Sequence, residues 1–151
     1  MARFDDPSRP AAAPLWQALG RLVVETRGRT LRDVTAELDV WLGEVGAGGL
    51  LTVFLRHTSA SLTVQENASP EVLPDLVDAL DRLAPRDAPW RHDLEGADDM
   101  PAHVKTTLTG VSLAIPTRAG RMDLGTWQAV YVVEHRDRGH RRELSLHWLG
   151  V

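Results

Sequence analysis

The chain has 151 residues, a length that fits one domain with a substantial buried core. Its hydrophobic share of 43% and charged share of 25% are ordinary for a globular chain, and its net charge of -4 gives no basic field to draw nucleic acid. The absence of cysteine excludes disulfides, thiolate metal sites and cysteine nucleophiles and suits a reducing, cytoplasmic compartment, and no apolar run is long enough to span a bilayer.

Met1–Pro14 mixes charge, proline and alanine without the apolar stretch of a signal peptide. It reads as a disordered or loosely attached tail, leaving residues 15–151 for a single domain. Leu19–Glu25 is strand-like, with Gly28 at the turn after it. Leu31, Val34, Leu38, Trp41, Leu42 and Val45 recur at helical spacing, with Thr30 and Asp33 as a capping pair and Gly46–Gly49 as the stop. Leu50–Arg56 predicts a buried strand. Ser61–Gln65 predicts a second, joined to the first by a tight connection near Thr58-Ser59. Ser69 and Pro70 predict the cap and first position of a second helix, whose apolar face runs from Val72 to Leu83 and which Pro85 closes. After a polar loop over Arg86–Met100, Pro101–Thr109 predicts a short helix with Asp99 as its cap and Gly110 just past its end. Val111–Pro116, Arg121–Leu124, Trp127–Glu134 and Glu143–Leu149 read as a C-terminal β meander with turns at Thr117–Gly120 and Asp137–Gly139. The resulting fold class is α+β: helices packed on a largely antiparallel β core.

Three polar segments stand out from this pattern. In Arg56–Asn67, His57 continues the parity of Leu51, Val53 and Leu55 and stands at the rim of the buried face. It is either a metal ligand or general base, or a core histidine satisfied by a neighbouring carbonyl. Glu66-Asn67 either orients a polar ligand or caps the turn before Ser69. In Trp90–Lys105, two histidines, four carboxylates and the chain's only lysine crowd together. His103 falls in the first helical turn, where the helix dipole favours the neutral, metal-binding imidazole. Lys105 points about half a turn away from it. Asp98 and Asp99 offer either caps or chemistry. In Gly120–Gln128, Gly125 suggests a bulge or a close backbone approach, Trp127 a flat stacking face, Gln128 a two-sided amide and Arg121 a phosphate holder, each with a purely structural alternative. The arginines flanking Asp137–Gly139 are either solvated or phosphate-binding. His147 lies opposite the face that Leu144, Leu146 and Trp148 share and reads as structural or exposed. Walker-type, Rossmann, Gly-x-Ser-x-Gly and His-Glu-x-x-His motifs are all absent.

Taken together, these blocks resemble the YjbQ family, the secondary thiamine-phosphate synthase family. The resemblance is carried by Arg56–Leu62 with Glu66-Asn67, His92-Asp93, Glu95–Pro101 and His103-Val104-Lys105, then Gly120-Arg121, Gly125–Gln128 and Glu134-His135-Arg136. It runs from about Trp16 to the C-terminus. Thr106-Thr107 and Ala129 depart from the pattern, and the proline-rich tail is an addition. The resemblance implies a compact α+β fold with a largely antiparallel, β-sandwich-like core and two to three helices packed on it, a homotrimer with clefts between subunits, and a weak synthase activity secondary to an unknown main role. That reaction joins hydroxymethylpyrimidine diphosphate to thiazole phosphate and releases pyrophosphate. The candidate site it suggests has Glu66, Asp99 and Lys105 as catalytic groups, and Ser59, Asn67, Arg121, Gly125, Thr126, Trp127 and Gln128 as substrate-binding groups. His57, His92 and His103 are the matching metal candidates, suited to zinc with an open position. Magnesium would accompany a diphosphate substrate, and no organic cofactor is expected. The expected partner is a small phosphorylated heterocycle, not nucleic acid or membrane. The competing readings are a trimeric ligand- or metal-binding protein without turnover, and a metal-dependent hydrolase of another substrate.

Overall fold

In the computed structural model, residues 14–151 are described, so the expected tail falls outside them apart from Pro14. In chain order the elements are β1 (Trp16–Glu25), β2 (Thr30–Asp33), α1 (Thr35–Val45), β3 (Gly48–Leu55), β4 (Ala60–Glu66), α2 (Val72–Leu83), α3 (Asp99–Thr109), β5 (Ser112–Arg118), β6 (Arg121–Met122), β7 (Gln128–Glu134) and β8 (Arg141–Gly150). They build a five-stranded sheet of order β1-β8-β3-β5-β6 and a three-stranded sheet of order β2-β7-β4. Every strand pairing is antiparallel.

The apolar sets of both sheets face each other. Leu51, Val53 and Leu55 of β3 and Leu144, Leu146 and Trp148 of β8 meet Leu62 of β4 and Val130 and Val132 of β7. Leu38 and Leu42 of α1 are fully buried in the same cluster. Helix α3 lies along β4, where the Thr106 hydroxyl donates to the Ala60 carbonyl at 3.2 Å. Helix α2 touches β2 and α3 and buries no side chain completely. Among the described residues no helix is long and apolar enough to cross a membrane.

Four local expectations are corrected. Thr30–Asp33 is a strand rather than a capping pair, because it completes the edge of the small sheet against Tyr131–Glu134. Asp33 still serves the helix, since its carboxylate accepts the Thr35 N–H at 2.9 Å. Helix α2 begins at Val72, two residues past Pro70, and the Ser69 hydroxyl donates to Glu71 instead of capping. Asp99 is the first residue inside α3, and its carboxylate turns inward rather than capping. The C-terminal strands are not a meander. β5 and β6 form a hairpin, β7 crosses to the centre of the small sheet, and β8 returns between β1 and β3. β7 is covered on both faces, which suits its nearly continuous apolar run, whereas β8 alternates strictly.

Candidate functional site

The first turn of α3 brings two imidazoles onto one buried carboxylate. Asp99 and His103 are four residues apart, hence on one helical face. The His103 Nε2 lies 3.2 Å from the Asp99 Oδ2. His92 reaches the same oxygen from the preceding loop, with its Nε2 at 2.8 Å. The three ligand atoms lie within 4.8 Å of one another, close enough for one ion to touch all three. Asp99 is 2% exposed, while the side chains of His92 and His103 are 45% and 32% exposed, so the centre is anchored on one side and open on the other.

The hydrogen positions at His103 limit what can lie between these groups. His103 Nδ1 lies 2.8 Å from the Thr58 carbonyl. A carbonyl only accepts, so Nδ1 carries the hydrogen and the Nε2 of the neutral ring is a bare lone pair. That lone pair faces a carboxylate oxygen, which is also an acceptor. Two acceptors at this separation repel unless a cation or an added proton lies between them. A backbone carbonyl fixing the outer nitrogen is the usual support of a metal-binding histidine.

Arg136 holds the carboxylate from behind. Its guanidinium pairs with Asp99 Oδ1, donates to Asp98 Oδ2 at 2.9 Å and reaches the Glu95 carbonyl at 2.8 Å. Burial pushes the Asp98 carboxyl up, but hydrogen bonds from Arg136 and the Asp137 N–H outweigh it and hold it at about 2. Asp98 and Asp99 are thus tied to one arginine, brought in from the segment after β7.

The other expected residues are distributed elsewhere. His57 is outside the three-ligand group: its Nε2 accepts the Glu143 N–H at 2.8 Å, and Asp99 takes the third place instead. The His57 pKa is lowered, first by burial and next by Arg142. The Ser59 hydroxyl and carbonyl accept from Arg142 at 3.2 and 3.3 Å. Lys105, 4% exposed, pairs with Asp81 of α2 on the side of α3 away from His103. Glu66, Trp127 and Gln128 line a separate cleft of about 510 Å³, and Asn67 donates its N–H to the Trp127 carbonyl. Gln128 and Gly125 close on each other around Thr126, with Gly125 N–H donating to Gln128 Oε1 at 2.8 Å. Trp127 is 65% exposed. Arg121 is a third outlier, in the β5–β6 hairpin beside α1. Glu66 and Gln128 sit at one end of the small sheet and Ala60 and Glu134 at the other, beside the histidines. Six residues of strand separate the two ends by roughly 20 Å, so one small ligand cannot touch both within one chain.

Two polar systems were not anticipated. Between the sheets, Arg142 of β8 meets Glu134 of β7 at 2.5 Å, with Thr26 donating to the same carboxylate at 2.7 Å. Burial pushes Glu134 up, and hydrogen bonds from Arg142, Thr26 and the Arg136 N–H bring it below its ordinary value. On the other face of β7 and β4, the His135 Nε2 and the Ser61 hydroxyl lie 2.9 Å apart, both buried. Burial and then Lys105 depress His135 to about 4.

That depression sets an expected acid sensitivity. Between its ordinary value of 6.5 and about 4 the unfolded chain binds the extra proton, so stability falls as pH drops through this window. At pH 5 the loss from this group is about 2 kcal/mol. Urea unfolding at pH 7 and pH 5 should therefore show a larger loss for the native chain than for His135→Gln. Equal losses in the two proteins would remove His135 as the cause.

Residues 21–151 match the family model described as UPF0047 protein YjbQ-like. A UPF0047 protein of Synechocystis sp. is 46% identical over 142 residues, covering 93% of this chain and 97% of its own. UPF0047 protein YjbQ of Salmonella typhimurium is 49% identical over 96 residues, covering 64% of this chain and 70% of its own. A crystal structure of a hypothetical protein from Aeropyrum pernix K1 superposes with a TM-score of 0.81 at 36% identity, covering 89% of this chain and 99% of that one.

Proposed function

The chain belongs to the UPF0047, YjbQ-like family, and from that premise we propose that His92, Asp99 and His103 hold a divalent cation, zinc by their chemistry, that acts on a small phosphate-bearing substrate. The observation that carries this reading is the lone pair of His103 Nε2 facing Asp99 Oδ2 at 3.2 Å. Two imidazoles and one carboxylate fit the ligand set of an open zinc site. When bound, such an ion supplies positive charge for a phosphate oxygen or a departing anion.

The chain's own residues do the positioning. The Thr58 carbonyl orients the His103 ring, and Arg136 fixes the Asp99 carboxylate in one rotamer. The exposed edges of His92 and His103 leave room for a ligand on the solvent side. The resemblance of these blocks favours the synthase reaction, in which a diphosphate leaving group needs charge neutralisation as it departs. In that reading Trp127 and Gln128, about 20 Å away along β4 and β7, belong to a cleft completed by a neighbouring copy in a homotrimer.

Metal analysis after dialysis against zinc tests the centre. One zinc per native chain is expected, with affinity lowered about a hundredfold or more in Asp99→Ala and His103→Ala, since removing a ligand costs more than removing its support. A native chain that binds no divalent cation would end the metal reading. Incubation with hydroxymethylpyrimidine diphosphate and thiazole phosphate tests the reaction. Pyrophosphate release lost in Asp99→Ala supports the synthase. Zinc binding without release would replace the synthase with the hydrolase or ligand-binding reading, which a panel of phosphate esters separates. Sedimentation near three times the 16.7 kDa chain mass supports the completed cleft, and a monomer would exclude it.

A further inference from the structure

Beside the proposed metal centre lies an open cleft of about 720 Å³. Phe54 and Val111 give it an apolar wall, and His57 and His103 stand on it together. Thr106 and Thr107 also line it, but their hydroxyl hydrogens are spent on the Ala60 and His103 carbonyls. Arg56, also on the lining, is held by Glu143 at 3.2 Å.

His57 differs from these neighbours. Its Nε2 lies 2.8 Å from the Glu143 N–H, and a backbone N–H can only donate. Nε2 is therefore an acceptor and cannot carry a hydrogen or bind an ion without breaking that bond. The single ring hydrogen is forced onto Nδ1. That nitrogen makes no hydrogen bond to the described residues and is not among the buried atoms, so it is open to solvent on a ring that lines the cleft. His57 also immediately precedes Thr58, whose carbonyl orients His103. One short crossover between the sheets thus sets both rings.

We infer that His57 is a fixed hydrogen-bond donor that orients the ligand in this cleft, and that the ligand class is a small molecule with an anionic, metal-binding head and an apolar aryl or alkyl body. The head meets the His92–Asp99–His103 centre and one of its oxygens accepts from His57 Nδ1–H. The body lies on Phe54 and Val111. His57 is a positioning and specificity residue rather than a metal ligand or a general base: its only acceptor nitrogen is already occupied. This assignment rests on the metal reading for its head group, and on geometry independent of any metal for the tautomer.

Phenylphosphonate is the probe, with inorganic phosphate as the headgroup alone. With zinc bound to the native chain, calorimetry is expected to show phenylphosphonate binding at least tenfold tighter than phosphate. In His57→Leu, zinc binding should be unchanged while phenylphosphonate weakens about tenfold or more, the effect of losing one hydrogen bond to a charged group. Nitrogen NMR of the native chain should show His57 protonated at Nδ1 and bare at Nε2, with or without zinc. Three results would overturn the inference while leaving the metal centre standing: phenylphosphonate no tighter than phosphate, no loss in His57→Leu, or zinc lost in that variant. Protonation at Nε2 would overturn it irrespective of zinc. A native chain that takes up no zinc would instead sink the metal reading and the ligand class with it, and the NMR result would then decide the tautomer alone.

Discussion

Glu134→Ala is expected to destabilise the fold by about 3–5 kcal/mol, the cost of leaving a buried charge without its partner. The carboxylate is 1% exposed and Arg142 3% exposed, and they meet between the two sheets. Glu134 also receives the Thr26 hydroxyl at 2.7 Å and the Arg136 N–H at 3.0 Å. Alanine removes every acceptor at once, while Arg142 stays ionised and, among the described residues, keeps only Ser59 as a hydrogen-bond acceptor. Replacing the pair by apolar residues of similar size has a different sign, because neither charge then needs desolvating. Glu134→Leu with Arg142→Met is therefore expected to recover most of what Glu134→Ala loses. Urea midpoints of the two proteins read this directly. A double variant no more stable than Glu134→Ala would show that the cost lies in packing rather than in the orphaned guanidinium.

Trp148→Ala should cost a similar 3–5 kcal/mol, the range for emptying a large aromatic site. Trp148 is fully buried. Its indole N–H donates to the Thr117 hydroxyl at 3.0 Å, and its ring meets Trp16 edge-on with centroids 5.0 Å apart. Gly46 makes room for this ring, since a Cβ there would run into its six-membered part, while a Cβ at Gly150 would meet both the ring and the Gly48 carbonyl. Gly46 has an extended backbone (φ 174°), so alanine there meets no torsional penalty, only the indole. Gly46→Ala is accordingly expected to cost about 1–3 kcal/mol by overpacking. In a Trp148→Phe background it should cost less, because the smaller ring vacates that space. Strict additivity of the two changes in thermal or urea unfolding would show that the ring is not what Gly46 makes room for.

Much of the fold was legible because periodicity is local. The alternation in β3 and β8, the apolar run of β7 and the stop at Gly110 all sit where the pattern put them. Which sheet each strand joins was not legible, since neighbours such as Leu51 and Trp148 pair across almost 100 residues of chain. The site divides the same way. His92, Asp99 and His103 stood in one suspicious segment, and the i,i+4 spacing of Asp99 and His103 could have marked Asp99 as a partner of His103 rather than a cap. Arg136 comes from a distant turn, and nothing in local pattern pairs it with Asp98. Arg142, though, shares strand parity with Leu144, Leu146 and Trp148, and Glu134 with Val130 and Val132. Two opposite charges on inward positions of separate strands signal a buried pair, and that signal went unread. Lys105, expected among the catalytic groups, stands apart from the histidines as its half-turn offset from His103 implies: two residues along α3 place its side chain on the opposite face, against Asp81.

The pairing of β1 with β8 has a consequence for synthesis. Among the described residues, Trp16–Glu25 pairs with Arg141–Gly150 alone and has no other strand beside it. On the ribosome this segment must therefore wait for its partner until some 115 further residues have been added. The exposed Leu19 and Val23 lengthen the list of apolar groups shown during that wait. Chaperone occupancy on nascent chains should accordingly persist until β8 emerges, since long-range strand pairing is slow and leaves the intermediate prone to association.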